Sequence, residues 1–205
     1  DGTSRALEPT TAVVLATGTR AAMPPIPGLA DARPWDNRDV TGLDRVPARV
    51  VVLGGGAIGA EMAQALRRLG ASAVTVVEGS ERLLGREEPA AGERVREAFE
   101  GEGITVITGA KVTEVRRPEP GGEVTVGGEG GRTVTGDELL VAVGRQPATG
   151  DVGLETVGLE PGAPVAVDDR LRATGVAGGW LYAVGDCNGR SLLTHMGKYQ
   201  ARIAA

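Results

Sequence analysis

A glycine turn set between a strand and a helix constrains this chain more than any other feature. Gly54, Gly56 and Gly59 form a G-x-G-x-x-G sequence directly after the apolar run Val50-Val51-Val52-Leu53. The residues beyond are helical in pattern. Ile58, Met62, Leu66 and Leu69 recur at helical spacing, and Gly70 suits a C-terminal stop. A second apolar run, Val74-Thr75-Val76-Val77, then closes on Glu78, about 20 residues past the glycines. A glycine triplet alone is a weak signal. Strand before, helix after and acid beyond make this one specific for a dinucleotide-binding βαβ unit.

Each residue type has a physical task in that unit. Gly54 turns the chain out of the strand, Gly56 removes the Cβ that would hold a pyrophosphate away, and Gly59 lets the helix lie on the sheet. Gly55, Ala57 and Ile58 complete the loop and open the helix, whose N-terminal N–H groups and dipole favour phosphate. A carboxylate at Glu78 accepts both ribose hydroxyls of an adenosine and repels a 2′-phosphate. Like unit charges at 4 Å cost about 1 kcal/mol in water and several times more in a dry site. NAD(H) is therefore expected over NADP(H). Arg82 and Arg86 could offset a phosphate, but they read as solvated loop charges.

Composition fits a soluble α/β protein. Of 205 residues, 41% are hydrophobic and 24% charged, enough for one or two domains with a sizeable core. Two Trp, two Tyr and one Phe leave that core to Val, Ala, Leu and Ile, which suits buried parallel strands. A net charge of −5 without a basic cluster argues against nucleic acid as a partner. There is no apolar run of about 18 residues and no signal peptide, so no membrane partner and a cytoplasmic location are expected. Cys187 is the only cysteine, which excludes an internal disulfide and a thiolate metal cage. It reads as a small apolar filler, and His195 as structural. No metal is expected.

The remaining segments alternate. Asp1 stands where an initiator methionine would, and Thr11–Leu15 is already a strand, so a piece of a longer chain is expected. Residues 29–48, with Pro34 and Pro47, read as a linker carrying at most one short helix. Pro89 opens a helix with Val95, Ala98 and Phe99 on one face, and Ile104–Ile107 forms the third parallel strand. Lys111–Val115, Glu123–Val126 and Thr133–Thr135 are β in pattern. The glycines at 127–131 imitate a phosphate loop, but no helix follows, so they form a hairpin turn. Glu138–Val143 is a further buried strand. Trp180–Val184 is a strand ending in Gly185-Asp186, followed by a helix with Leu192, Met196, Tyr199 and Ile203 on one face. An acid at a strand end before a helix N-terminus suits a sugar or ribityl hydroxyl plus a phosphate.

Taken in order, Ala16-Thr17-Gly18, the Gly54–Glu61 fingerprint with Glu78, Gly144-Arg145-Gln146-Pro147 and Leu181–Asp186 resemble the pyridine nucleotide–disulfide oxidoreductases. The resemblance covers nearly the whole chain and is nearest to the lipoamide dehydrogenase and mercuric reductase branch. It implies an α/β fold in which a Rossmann-like NAD-binding domain, with a parallel sheet and a β-meander, is inserted between segments of an incomplete FAD-binding domain. Residues 1–45 would be FAD-domain segment and linker, 46–148 the NAD(H) domain, and 149–205 the return segment.

By the same resemblance, Asp186 would bond the flavin ribityl chain. Ala16, Thr17, Gly18, Gly185, Leu193, Thr194 and His195 would line the flavin. Val112, Gly144 and Arg145 would contact nucleotide, the first two through the backbone. Glu61 would sit at the nicotinamide–flavin contact, paired with a lysine of the FAD domain, as the one catalytic candidate. The family's first glycine fingerprint, its C-x4-C redox pair and its C-terminal interface domain have no counterpart here. The expectation is an NAD(H)-binding portion of a homodimeric flavoenzyme that moves hydride from NADH to flavin, inactive in thiol chemistry by itself. A free-standing, non-catalytic NAD(H)-binding module is the alternative.

Overall fold

The apolar runs flanking the glycine turn pair with one another, as runs without polar alternation must if both faces are covered. The computed structural model describes residues 5–205. In chain order its elements are β1 (Val13–Leu15), β2 (Thr19–Ala21), α1 (Asn37–Thr41), β3 (Arg49–Leu53), α2 (Ala57–Arg68), β4 (Ala73–Val77) and α3 (Pro89–Gly101). There follow β5 (Ile104–Ile107), β6 (Val112–Arg116), β7 (Val124–Gly128), β8 (Thr133–Gly136), β9 (Glu138–Val141), β10 (Arg145–Pro147), β11 (Leu181–Ala183) and α4 (Thr194–Ala204). The chain divides into two units: Ala21–Gly144, and a discontinuous one made of the residues up to Arg20 together with Arg145–Ala205.

The continuous unit is built on a parallel sheet of order β5-β4-β3-β9, with Val51 opposite both Thr75 and Leu139. Period-2 alternation sends β3 into two cores at once. Val50 and Val52 pack with Ala63 and Leu66 of α2 and Phe99 of α3. Val51 and Leu53 pack with Val115, Val124 and Val126 of the antiparallel meander β6-β7-β8. The glycine cluster turns β7 into β8 through a short 3-10 segment at Glu129–Gly131, as its pattern predicts. Pro89 does open α3, but the inward face is Gly92, Val95 and Phe99; Ala98 is exposed.

The boundaries differ from those expected. Residues 21–45 belong to the continuous unit, because they supply part of its core. Leu29 and Ala32 are buried on the meander side and Val40 on the helix side. Trp35 runs beside β9, donating to Leu139 O at 2.8 Å and accepting from Val141 N at 2.9 Å. The one short helix is α1, closed by an Asp36/Asp39 capping box. The return segment starts at Arg145 rather than 149, since β10 pairs with β2.

In the discontinuous unit β1 lies parallel to β11, with Val13 opposite Leu181. Leu154, Val165, Leu171, Leu181, Ala183 and fully buried Cys187 fill its core. The helical pattern forms α4, with Tyr199 56% and Ile203 42% exposed. The helix docks through Gly197, Gln200 and Ala204 instead. Small residues decide this, because a Cβ at Gly197 would stand 3.3 Å from the Gly185 Cα.

One buried ion pair ties three segments of the continuous unit together. Arg117 and Glu138 pair with side chains only 6% and 13% exposed. The same guanidinium donates to Ala32 O at 3.0 Å and to Asp137 O at 3.2 Å. Removing one partner strands a buried charge. Glu138→Ala is expected to destabilise the chain by about 3–5 kcal/mol in denaturant unfolding, and Arg117→Met combined with Glu138→Leu to recover most of that loss.

Candidate functional site

The three fingerprint glycines occupy three different environments. Gly54 has φ +106°, and a Cβ there would lie 2.5 Å from Ala142 O. A Cβ at Gly59 would collide with the carbonyl oxygen of Gly54, so the first turn of α2 rests directly on the glycine turn. Gly56 is exposed, and a Cβ there would meet nothing within 4 Å. Gly56 is also the N-cap of α2, and no side chain caps that end. Ala57 is exposed beside it and Ile58 half-buried. The outcome is a helix N-terminus with its N–H groups open on the Gly56 side, the arrangement that favours an anion.

Glu78 does more than the sequence discloses. Its carboxylate accepts from Gly55 N at 2.5 Å and from Ser80 N at 2.6 Å. The acid at the end of β4 therefore braces the glycine loop from below. Leu84 N adds a bond to Gly55 O at 2.9 Å, and Leu83 packs against Gly55. Each carboxylate oxygen keeps a second lone pair for a ligand hydroxyl. Arg82 is half-buried, and its guanidinium turns back onto Leu84 O and Gly85 O at 3.3 and 2.9 Å. Arg86 is exposed.

Beside Glu78, past the carboxyl ends of β4 and β5, a cleft of about 430 Å³ opens toward the meander. Val77, Ile107, Ala110, Val112, Val126 and Val134 line it. Lys111, also on its wall, pairs with Glu129 at 3.1 Å. Ligands of open α/β sheets gather outside the carboxyl ends of the strands, and this cleft is at that end. Gly144 is exposed just after β9. Glu61 is exposed on α2, but it is the fifth residue of a helix with no acid in its first turn, so stabilisation by the helix dipole does not explain it.

A second constellation lies in the discontinuous unit. Because β1 and β11 are parallel, Ala16-Thr17-Gly18 and Gly185-Asp186 leave the same end of one strand pair. Gly185 takes φ +77° and starts a 3-10 turn, Gly185–Asn188, that carries Asp186. Thr19 Oγ1 donates to Asp186 Oδ2 at 2.8 Å. Arg145 donates in turn to Thr19 Oγ1 at 2.6 Å and Thr19 O at 2.8 Å. Arg145, expected at the nucleotide, thus reaches the Asp186 side through Thr19. Thr19 was legible only as the residue after the Ala-Thr-Gly motif. Leu193, Thr194 and His195 are exposed at the start of α4, whose N-cap Leu193 offers no side-chain bond. Cys187 Sγ points inward at Val184 O, 3.3 Å away, and serves the core.

Among the described residues no His, Cys, Asp or Glu cluster could hold a metal ion, and no helix is long and apolar enough to cross a membrane.

The sequence profile of the pyridine nucleotide-disulphide oxidoreductases matches residues 6–201, and the chain belongs to this family. It is 38% identical over 196 residues to a dihydrolipoyl dehydrogenase of Chlorobaculum tepidum, covering 94% of this chain and 41% of that protein. A mercuric reductase of Acidithiobacillus ferrooxidans is 35% identical over 176 residues, 85% of this chain and 31% of its own. Among solved structures, the HOCl-induced flavoprotein disulfide reductase of Escherichia coli, as its Cu(II) complex, superposes with a TM-score of 0.83 at 29% identity. That match covers 94% of this chain and 44% of the other. The chain therefore spans less than half the length of these relatives.

The glycine environments predict opposite outcomes for one methyl group. Gly59→Ala is expected to cost about 1–3 kcal/mol in chemical denaturation, because the backbone beneath it must move. Gly56→Ala is expected to shift stability by no more than about 0.5 kcal/mol.

Proposed function

We propose that this chain is the NAD(H)-binding portion of an FAD-dependent pyridine nucleotide-disulphide oxidoreductase, with Ala21–Gly144 as its nucleotide unit and the discontinuous unit as part of its flavin domain. The observation that carries the reading is the open, uncapped N-terminus of α2 at Gly56, with the Glu78 carboxylate and an apolar cleft beside it. A pyrophosphate fits against Gly54–Gly59 through backbone N–H groups, without a side chain in its path. The free lone pairs of Glu78 accept ribose hydroxyls, and the cleft past β4 takes the adenine, with Val112 on its wall. Gly144 offers exposed backbone at the same end of the sheet.

Charge supports NADH over NADPH. A 2′-phosphate beside Glu78 meets a carboxylate, and Arg82 is already committed to its own loop. In the discontinuous unit, Asp186 Oδ2 is engaged by Thr19, and its second oxygen is the acceptor for a ribityl hydroxyl. Ala16, Thr17, Gly18 and the α4 start at Leu193–His195 line the flavin. When bound, the nicotinamide supplies a hydride and the flavin accepts it. Glu61 keeps an exposed carboxylate on α2 for the nicotinamide side. The longer protein acts as a cytoplasmic homodimer on this reading. A module that bound NAD(H) alone would have no use for the Thr19–Asp186 arrangement, which favours the flavoenzyme.

Two titrations test the nucleotide assignment. Gly56→Val places a branched side chain on the open side of the loop, where a Cβ meets no protein atom within 4 Å. NADH affinity, read by nicotinamide fluorescence, should fall at least tenfold, about 1.4 kcal/mol, with unchanged far-UV dichroism. Glu78→Gln loses the charge and keeps one of the two acceptor oxygens that hold Gly55 N and Ser80 N. The preference for NADH over NADPH should narrow by about 1 kcal/mol. Equal affinity of the unsubstituted chain for both nucleotides would remove Glu78 as the discriminator.

A further inference from the structure

Gln200 is a buried polar residue, only 5% exposed, and neither sequence pattern nor the family motifs single it out. It sits in α4, two turns beyond the segment proposed to meet flavin. Its side-chain carbonyl accepts two hydrogen bonds. One comes from Gly185 N at 2.7 Å, the other from Asn188 Nδ2 at 2.8 Å. Both donors belong to the Gly185–Asn188 turn that carries Asp186. The oxygen assignment is fixed by chemistry, since a backbone N–H can only donate.

The turn has few other supports on that side. Asn188 Nδ2 also donates to Ala183 O at 3.0 Å, tying the turn to the end of β11, and Gly189 N closes it onto Asp186 O at 3.0 Å. Gly197, one turn before Gln200, lies against Gly185 with no Cβ between them. Gln200 is therefore the side chain of α4 that fastens the helix to the Asp186 turn, and Thr19 holds the Asp186 carboxylate itself.

The geometry points to Gln200 as a positioning residue: it locks the Asp186 turn to helix α4, so that Asp186 and the Leu193–His195 start of the helix keep one fixed spacing. This rests on the reading that both elements meet flavin. Without the Gln200 carbonyl, the half-buried Gly185 N–H would lose its partner, which favours opening of the turn. Gly185 holds a left-handed conformation.

The test uses the full chain, labelled with nitrogen-15, and native-state amide hydrogen exchange. Gln200→Met keeps the bulk and loses the acceptor, while Gln200→Glu keeps both bulk and acceptor. In the Met variant, exchange at Gly185, at Gly189 and at Met196 and Gly197, which close the first turn of α4, should quicken at least tenfold. Val141 in the other unit should be unchanged, which separates local opening from global unfolding. The Glu variant should restore slow exchange at Gly185 and Gly197. Unchanged protection in the Met variant would overturn the proposal, because it means that packing alone holds the turn. FAD affinity of the longer protein, compared with its Asp186→Ala variant by flavin fluorescence, judges the flavin reading on its own. Unchanged affinity sinks that reading and leaves the exchange result for Gln200 standing.

Discussion

The contact between Gly59 and the carbonyl of Gly54 sets the geometry of the continuous unit. It allows α2 to descend onto the sheet, which places Ala63 and Leu66 against Val50 and Val52 and closes the helix-side core. The same descent leaves Gly56 at the crest of the loop with its backbone bare. Packing and exposure are thus two results of one close approach. A side chain at position 59 would lift the helix, thin the core and tilt the open N–H groups together.

Glu78 belongs to the same economy of parts. An acid placed only to greet a ligand would be a charge in search of a partner whenever the site was empty. Here the carboxylate holds Gly55 and Ser80 by their N–H groups, which fixes both the loop and its own orientation. Preorganisation of this kind lowers what a ligand must spend in ordering the site. Asp186 follows the same logic in the other unit, with Thr19 occupying one of its oxygens.

Much of this was legible in the chain because strong local rules governed it. Valine runs with no polar alternation specified buried parallel strands, and the glycine spacing specified the turn and the helix behind it. The hairpin at 127–131 was legible from the lack of any helical pattern after its glycines. Three features were hidden. Residues 29–48, with Pro34 and Pro47, read as a linker, yet Leu29, Ala32 and Val40 are buried and Trp35 runs along β9. The docking face of α4 is made by a glycine contact and a buried amide, while Tyr199 and Ile203 stay exposed. Arg145 sits beside a nucleotide-contact motif in the sequence, but its hydrogen bonds to Thr19 join residues 126 positions apart, which no local pattern encodes.

The interrupted unit also has a kinetic consequence. Its Thr19–Asp186 bond joins residues 167 positions apart, so the chain between them must be gathered before the unit can close. Most of that chain is the continuous unit, whose own two ends already meet where Ala22 N donates to Gly144 O at 2.9 Å. Once the insert has folded, it acts as a short clip rather than a long tether. The effective loop shrinks about fourfold, which lowers the closure entropy by ~1 kcal/mol. The molecule is thereby biased to assemble from the inside outward, with the two flanking segments of the discontinuous unit joining after the middle has become rigid.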